Sequence, residues 1–471
     1  MFSLRIPAGV LIAALLLVLP AAAAPAQAPS AWTAAERHAA LATLRNGGEL
    51  LDSPDASVSD AVLESALLRF AGAELGQRLQ PSSVEPFWAL EPARIDVPES
   101  LAAARQAGRL AAWLAGLSPP FAGYRDLLSL RCRYRLIADA GGWAALPPGA
   151  APKAGERSPD AAALRTRLAI EGYKPATRDA TLFDAGLQRA LGEFQASHGL
   201  PDTGRLDGPT RAALDVPVET RLMTIEANLE RWRWLPHDLP STRLELDVAG
   251  AEVRLLADSA PVLEMKAIVG DPRHRTPMFV SRLTAVVFDP PWNVPKAIAD
   301  QEILPKAARD PGYLARNDFT FIDGRLVQRP GPKNSLGSVK FDLPSPFGVY
   351  LHDTPARTLF ARRVRTLSHG CMRLEKPQAL AAWLLRPQGW SSAEVTAAMG
   401  AGRTQTVALQ RSLPLFVLYW TAAVDAEGHG IFRSDPYGWD GALNAALSRA
   451  AAVRSARAER VPATECAAPR G

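Results

Sequence analysis

Cysteine and histidine are scarce in this chain of 471 residues, which has three cysteines and seven histidines. Three cysteines cannot form the disulfide framework that holds small secreted domains together. There is no CxxC or HxxxH pair, so the usual ligand set of a structural zinc site is missing. No arginine-rich run with interleaved aromatic residues occurs, and the formal charge of +5 is small and dispersed. The sequence therefore argues against a nucleic-acid-binding protein.

Long apolar runs are equally rare, and the one that stands out is at the N-terminus. Arg5 precedes an apolar run from Val10 to Leu19, Pro20 ends the run, and small residues follow. This pattern is typical of a secretory signal peptide over residues 1–24. The run is shorter than the about 20 residues that span a bilayer, although an uncleaved anchor is the alternative. We predict export from the cytoplasm and no stable membrane span after cleavage.

Two of the cysteines offer no catalytic pattern. Cys132 lies in an apolar, helix-like stretch, where a buried inert thiol is one interpretation. A disulfide between Cys132 and Cys466 is the other, because an oxidising compartment favours such bonds. Both interpretations stay open at the level of sequence.

The first half of the chain has the pattern of helical units. Residues 31–146 show apolar residues at three- and four-residue steps and predict a helical scaffold domain, followed by a linker rich in proline and small residues. Residues 158–217 predict a compact unit with three helices, in which Phe194-Gln195 is followed by a Gly-Leu turn, a D-x-G turn and a closing helix. These features resemble the small three-helix peptidoglycan-binding domain. A plain helical linker domain is the alternative.

The pattern changes to alternation of apolar and polar residues at about residue 241, which indicates β-strands. We predict a mostly antiparallel β domain over residues 241–440, interrupted at 292–337 by a segment rich in proline and glycine. So long an insertion in a compact domain is often a lid or a binding loop. Residues 441–471 form an alanine- and arginine-rich tail, either helical or disordered. The predicted fold class is α+β multidomain.

The candidate catalytic residues are concentrated in two segments, Tyr350-Leu351-His352-Asp353-Thr354-Pro355 and Ser368-His369-Gly370-Cys371-Met372-Arg373. A thiolate is the reactive form of cysteine, and a nearby imidazole or positive charge favours it. Gly370 permits close approach of a substrate carbonyl, and Arg373 could pair with a carboxylate. A buried structural cysteine and a zinc site of His352, His369 and Cys371 are the alternatives.

This stretch resembles the signature of the L,D-transpeptidases with a YkuD-like catalytic domain. The segments VGDPRHRTPMF, DPPWNVP and RPGPKNSLGSVKF, within residues 269–341, resemble the large periplasmic branch of that family. The resemblance implies that Cys371 is the nucleophile and His352 the general base, oriented by the backbone carbonyl of Asp353. It implies that His369 shapes the site or polarises the acyl oxygen, and that the backbone N–H groups of Gly370 and Cys371 stabilise the oxyanion.

The resemblance also implies a substrate and a location. Stem peptides and glycan of peptidoglycan would be the partners, the periplasm or cell envelope the location, and 3→3 cross-links through a thioester the product. No metal or organic cofactor would be needed, a D,D-carboxypeptidase would act upstream, and carbapenems would acylate Cys371. L,D-carboxypeptidase or amide hydrolase activity and non-catalytic peptidoglycan binding are the alternatives. Candidates for substrate contacts are Arg373, Ser368, Tyr350, Asn334 and Trp292; for Trp292, packing of the insertion onto the sheet is the alternative.

Overall fold

The computed structural model describes residues 31–47, 58–148, 151–174 and 179–455. The predicted signal peptide and Cys466 lie outside these residues. No helix in the described ranges is both long and apolar enough to cross a membrane.

The N-terminal part is built of helices, with one short strand among them. The elements are α1 Ala34–Gly47, α2 Asp60–Glu74, α3 Pro81–Val84, β1 Trp88–Ala89, α4 Val97–Gln106, α5 Leu110–Ala115 and α6 Ala122–Asp139. Side chains at two of the starts act as caps: Ser59 accepts from the N–H of Val62, and Asp96 from that of Glu99. Leucines from α1, α2, α4 and α5 form a shared apolar core.

Cys132 lies on α6 and is disulfide-bonded, so the interpretation of a free, inert thiol is wrong. Cys371 is a free cysteine. Among the described residues, Cys371 is therefore the thiol that chemistry can use.

The next unit contains α7 Pro159–Ile170, α8 Ala185–Ser197 and α9 Gly208–Leu214. Ser158, Asp184 and Asp207 cap their starts by accepting backbone N–H bonds. Gln195 is completely buried and joins the turns, since its amide donates to Arg205 O and Thr210 Oγ1 while its carbonyl accepts from Gly204 N–H. α10, Val218–Arg233, then leads to the sheet.

The C-terminal part is dominated by strands. The elements are β2 Arg243–Asp247, β3 Glu252–Ala257, β4 Ala260–Gly270, β5 Met278–Phe288, β6 Trp292–Asn293, α11 Lys296–Ile298, α12 Leu304–Arg309, α13 Tyr313–Arg316, β7 Phe319–Ile322, β8 Arg325–Gln328, β9 Val339–Asp342, β10 Leu351–His352, β11 Thr366–Ser368, β12 Met372–Leu374, α14 Pro377–Leu385, α15 Ser392–Ala398, β13 Gln405–Leu418, β14 Ala422–Val424, β15 Gly430–Phe432 and α16 Trp439–Ser455.

The main sheet is mixed. Its strand order is β1-β5-β13-β2-β3-β4-β12-β10-β9, with a further pairing between β5 and β9. Antiparallel pairs predominate, but β1–β5, β2–β13 and β10–β12 run parallel. Alternate residues of these strands point into one apolar core, among them Leu246, Val253 and Leu351, all almost completely buried.

Two elements outside the sheet's own segment complete this core. Trp88 of β1, from the helical N-terminal part, is completely buried in it. Trp439 and Leu443 of α16 are buried there too. The first half of the predicted tail is therefore helix with a packed face, rather than a disordered extension.

Residues 292–337 form a small unit of their own. β6, β8 and β7 pair in that order, and the helical segments from α11 to α13 pack on them around Ala299, Ile303 and Phe319. The segment from 299 to 303 is a π-helical turn. The chain returns to the main sheet at Gly337, where φ is +64° and an added Cβ would lie 2.4 Å from the Asp353 carboxylate. Only glycine fits there.

Candidate active site

Strand pairing brings four of the predicted residues onto one face of the sheet. β10 and β12 run parallel with Leu351 opposite Met372 and His352 opposite Arg373. Because side chains alternate, Leu351 and Met372 point into the core while His352 and Arg373 share the other face. The same register continues by two residues to put Tyr350 opposite Cys371 on that face.

His352 and Cys371 are thus diagonal neighbours on adjacent strands. Adjacent strands are about 4.8 Å apart and alternate residues of one strand about 6.6 Å apart, so the two Cβ atoms are about 8 Å apart, a gap that an imidazole and a thiol can bridge. His352 is buried, whereas Cys371 is half-buried and so keeps access to solvent. The ring of Tyr350 lies 5.7 Å from that of His352.

The thiol of Cys371 has hydrogen-bonding and charged neighbours, yet burial dominates its ionisation. Burial raises the pKa of Cys371, and the partly opposing influences are hydrogen bonds from Tyr350 and the charges of Arg373 and Lys340. The nearby imidazole and positive charges were expected to favour the thiolate, but burial outweighs them. A neutral thiol is the resting form.

The imidazole of His352 is also neutral. Burial and the neighbouring positive charge of Arg373 lower the pKa of His352 to about 3. Its Nδ1–H donates to the backbone carbonyl of Asp353 over 2.5 Å. The lone pair of Nε2 is therefore the basic atom of the ring.

Asp353 serves the site through its backbone. Its carboxylate is occupied, accepting from the N–H of Ser338 and pairing with the guanidinium of Arg357 at 2.9 Å. The side chain thus joins the end of the insertion to the strand that carries His352.

The turn before Cys371 is held by internal hydrogen bonds. Ser368 is buried; its hydroxyl donates to the carbonyl of Cys371 at 2.6 Å and accepts from the N–H of Gly370 at 3.1 Å. Gly370 has φ of +104°, a conformation that favours glycine. Ser368 is therefore placed to position the turn rather than to contact substrate. The Gly370 N–H is already engaged, which leaves that of Cys371 as the candidate oxyanion donor.

Two residues that the sequence did not single out support this turn from below. Thr276 is completely buried; its hydroxyl donates to Gly370 O at 2.8 Å and accepts from Gly270 N–H at 2.9 Å. Tyr437 donates to Gly270 O at 2.6 Å and accepts from Thr276 N–H. A threonine just before the apolar strand β5 was the available signal in the sequence. Its hydrogen-bond partner Gly370 is distant in sequence, so the contact could not be predicted.

Lys340 is a third residue that sequence reasoning missed. It lies opposite His352 on β9, and its ammonium group is 5.2 Å from the centre of the Tyr350 ring. The alternation Val339-Lys340-Phe341 was the signal, because a polar residue between two buried ones marks the exposed face.

His369 points away from His352 and towards the insertion. Its Nε2 lies 2.5 Å from Oε1 of Glu302, and its ring is 4.5 Å from that of His274. No group of three or more potential metal ligands occurs among the described residues. His352, His369 and Cys371 therefore do not form the zinc site that was considered as an alternative.

The two candidates from the insertion behave differently. Trp292 is half-buried beside the insertion's core, and its indole N–H donates to the hydroxyl of Tyr350, which in turn donates to the sulfur of Cys371. Asn334 is completely buried, and its amide donates to the carbonyls of Pro290 and Arg329. Asn334 does not face the cleft, so the expectation of a substrate contact there is wrong for this conformation.

Comparison with known families agrees with this geometry. Residues 241–405 match the family model "YkuD: L,D-transpeptidase catalytic domain". Residues 157–214 match "Putative peptidoglycan binding domain", and residues 11–129 match "Scaffold domain". These matches to a YkuD L,D-transpeptidase catalytic domain and to a peptidoglycan-binding domain confirm the resemblance seen in the sequence.

Individual relatives are similar over part of their length. A Haemophilus influenzae protein named "Putative L,D-transpeptidase" is 31% identical over 221 residues, which is 43% of this chain and 45% of that protein. The chain thus matches less than half the length of this relative.

Solved structures give fainter likenesses. An L,D-transpeptidase from Mycobacterium smegmatis is 16% identical, covers 38% of this chain and 58% of its own, and has a TM-score of 0.22. An L,D-transpeptidase from Stackebrandtia nassauensis is 11% identical, covers 57% of this chain and 97% of its own, and has a TM-score of 0.23. Overlaps at this level do not bear on function.

Proposed function

We propose that the protein is a peptidoglycan L,D-transpeptidase of the cell envelope that uses Cys371 as its nucleophile and His352 as its general base. The observation that carries the proposal is the common sheet face of Tyr350, His352, Cys371 and Arg373, which follows from the pairing of β10 with β12. The matched catalytic and peptidoglycan-binding domains support the same substrate.

The chemistry begins from a neutral pair. As the sulfur of Cys371 attacks the carbonyl of the third residue of a donor tetrapeptide, Nε2 of His352 takes the thiol proton. The Cys371 N–H and the charge of Arg373 stabilise the oxyanion. The carbon–nitrogen bond to the terminal D-alanine breaks, and the proton on His352 passes to the leaving amine. A thioester on Cys371 remains.

The second half-reaction decides the product. The side-chain amine of another stem attacks the thioester, His352 accepts its proton, and the thiol of Cys371 is regenerated with a 3→3 cross-link formed. Attack by water would release a tripeptide instead. We propose that the insertion over residues 292–337 covers the cleft during this step, because Trp292 and Glu302 already contact Tyr350 and His369.

Acylation by a carbapenem tests the nucleophile directly. Incubation of the full chain should add the mass of one carbapenem, and peptide mapping should locate it at Cys371. The Cys371→Ala variant should show neither the adduct nor turnover of tetrapeptide muropeptides. Full turnover by Cys371→Ala would overturn the proposal. Mass spectrometry of the products separates the two activities: cross-linked dimers indicate the transpeptidase, and tripeptides indicate the hydrolase.

A further inference from the structure

A second cleft, with a volume of about 690 Å³, lies where the helical N-terminal part meets the main sheet. One wall comes from the start of α6 and the end of α10, and the other from the β2–β3 hairpin and the end of β13. Neither Cys371 nor His352 lines it. The proposed transpeptidase chemistry therefore leaves it unexplained.

Stacked aromatic rings form part of this cleft. Trp232 and Trp420 lie 4.4 Å apart at an interplanar angle of 19°, and Phe121 lies 5.3 Å from Trp232. All three are half-buried, so each keeps some surface open. Gly123 allows α6 to come this close, because an added Cβ would lie 2.8 Å from the Trp232 ring.

The opposite wall is polar and carries charges of both signs. Alternation along β2 and β3 turns their polar residues to the cleft while Leu246 and Val253 face the core. Arg433 links the two strands, with its guanidinium 3.4 Å from the carboxylate of Asp247 and 3.6 Å from that of Glu252. The charged side chains that line the cleft are Asp238, Arg243, Glu245, Asp247, Glu252, Arg254 and Arg433.

The composition of the two walls selects a class of ligand. Four carboxylates face three guanidinium groups, so the cleft offers little net charge to an anion or a cation. An entirely apolar ligand would strip water from these charges without replacing its hydrogen bonds. A sugar ring meets both walls, because its C–H face stacks on an aromatic ring and its hydroxyl and amide groups bond to carboxylates and guanidinium groups. We propose that this cleft binds a neutral, N-acetylated saccharide chain.

The position of the cleft gives this binding a use. The strand order β3-β4-β12 and its register put Glu252 and Arg254 on the same sheet face as Arg373, two strands away. Adjacent strands are about 4.8 Å apart and a strand rises about 3.3 Å per residue, so Glu252 is about 10 Å from Arg373 across the sheet and about 7 Å along it. A saccharide held there would lie beside the site that its attached peptide has to enter. The proposal does not depend on the chemistry of Cys371.

Titration with a chitin oligosaccharide of six N-acetylglucosamine units tests the cleft. Binding to the full-length Cys371→Ala variant is measured by saturation-transfer NMR and calorimetry. Adding Trp420→Ala to that variant should weaken the affinity about tenfold, because one stacking partner is lost. Arg254→Gln should weaken it as well, and Arg254 is exposed enough that the fold should survive. Because the titration measures binding rather than turnover, the outcome is independent of the proposed catalysis.

Matched controls come from the same chain. Trp390→Ala removes a half-buried tryptophan stacked on Phe288, and Arg325→Gln removes an exposed arginine of β8; both should bind normally. Equal affinity in Trp420→Ala and Arg254→Gln would overturn the proposal, as would no detectable binding by the parent. A free stem tetrapeptide should be titrated in the same way. If the tetrapeptide binds and loses affinity in Trp420→Ala while the sugar does not bind, the cleft is a peptide site and the proposal is overturned.

Discussion

Cys371 and His352 are both held in their neutral forms by burial, although charged residues surround them. A neutral pair differs in its pH response from a preformed thiolate–imidazolium pair. The imidazole stays unprotonated at any pH above about 3. The thiol releases its proton only above its usual pKa. The reactive anion should therefore accumulate on the alkaline side.

We expect the rate at which iodoacetamide alkylates Cys371 to rise steadily between about pH 6 and 9, since the ordinary thiol pKa is already about 8.5 and burial raises it. Peptide mapping by mass measures the rate at this one site, and Cys371→Ser gives the background. A plateau that begins near pH 5 would contradict the neutral pair, because a lowered thiol pKa produces that profile.

The hydroxyl of Tyr350 contributes a hydrogen bond to the sulfur, and it receives one from Trp292. Tyr350→Phe should slow carbapenem acylation roughly 10- to 100-fold, because a hydrogen bond to a charged group is worth about 1.5–3 kcal/mol. Tyr313→Phe, in the insertion, is the matched control and should change little. An unchanged acylation rate in Tyr350→Phe would exclude this role for the hydroxyl.

Several residue roles could be predicted from the sequence and several could not. Motif spacing pointed to Cys371, His352 and Arg373, because these residues lie in two short motifs that can be recognised from the order of residue types alone. Ser368 and Asn334 were predicted to contact substrate, yet the polar atoms of both side chains form hydrogen bonds with backbone groups. Polarity alone does not reveal whether a side chain faces ligand or main chain, since that depends on partners distant in sequence.

At the scale of elements, the insertion over residues 292–337 is joined to the turn before Cys371 by the contact of His369 with Glu302. Glu302→Gln should loosen this contact by about 0.2–1 kcal/mol, as for other partly exposed ion pairs. We expect a KM for muropeptides raised up to about fivefold, with alkylation of Cys371 by a small probe unchanged.

Lys296→Gln is the control for that experiment. Lys296 pairs with Asp300 in the same helical segment and is 87% exposed. A rise in KM in both variants would show that the effect comes from the segment's own stability rather than from the contact with His369.

The strands and helices themselves were mostly visible in the sequence. Alternating residues marked β2 and β3, and three- and four-residue steps marked α6 and α8. The parallel pairing of β10 with β12 was not visible, because these strands have two and three residues and carry almost no periodicity. That pairing nevertheless fixes the site.

At the scale of the whole molecule, a buried charge cluster joins α2 and α6 to α10. Arg233 pairs with Glu74 at 2.8 Å and with Glu230 at 3.3 Å, and all three side chains are buried. Burial alone would raise the pKa of Glu74, but Arg233 and the hydroxyls of Ser118 and Tyr124 keep it below its usual value.

Arg233→Leu should lower the free energy of unfolding by about 3–5 kcal/mol, because it leaves Glu74 buried without its partner. Thermal unfolding measures the loss, and limited proteolysis should show earlier cleavage in the helical N-terminal part. Arg316→Gln, which breaks an exposed pair with Asp310, should leave thermal unfolding almost unchanged. Equal stability of the two variants would show that the cluster is not what joins these helices.

The predicted division into successive units followed composition and periodicity along the chain. It could not show that Trp88 and Trp439 complete the core of the main sheet, because each belongs to a segment that is far away in sequence. Contacts of this kind depend on the shape and volume of side chains, which the spacing of apolar residues along the chain does not encode.

The pairing of Trp88 and Ala89 with Met278 and Phe279 has a practical consequence for anyone who wants a smaller protein. A fragment that begins at residue 241 would leave the main-chain groups of Met278 and Phe279, at the start of β5, without their partners in β1. It would also leave a cavity in the core in place of the Trp88 indole. Unpaired margins of sheets attract other chains. We expect such a fragment to precipitate, whereas a version that begins ahead of residue 85 should remain in solution.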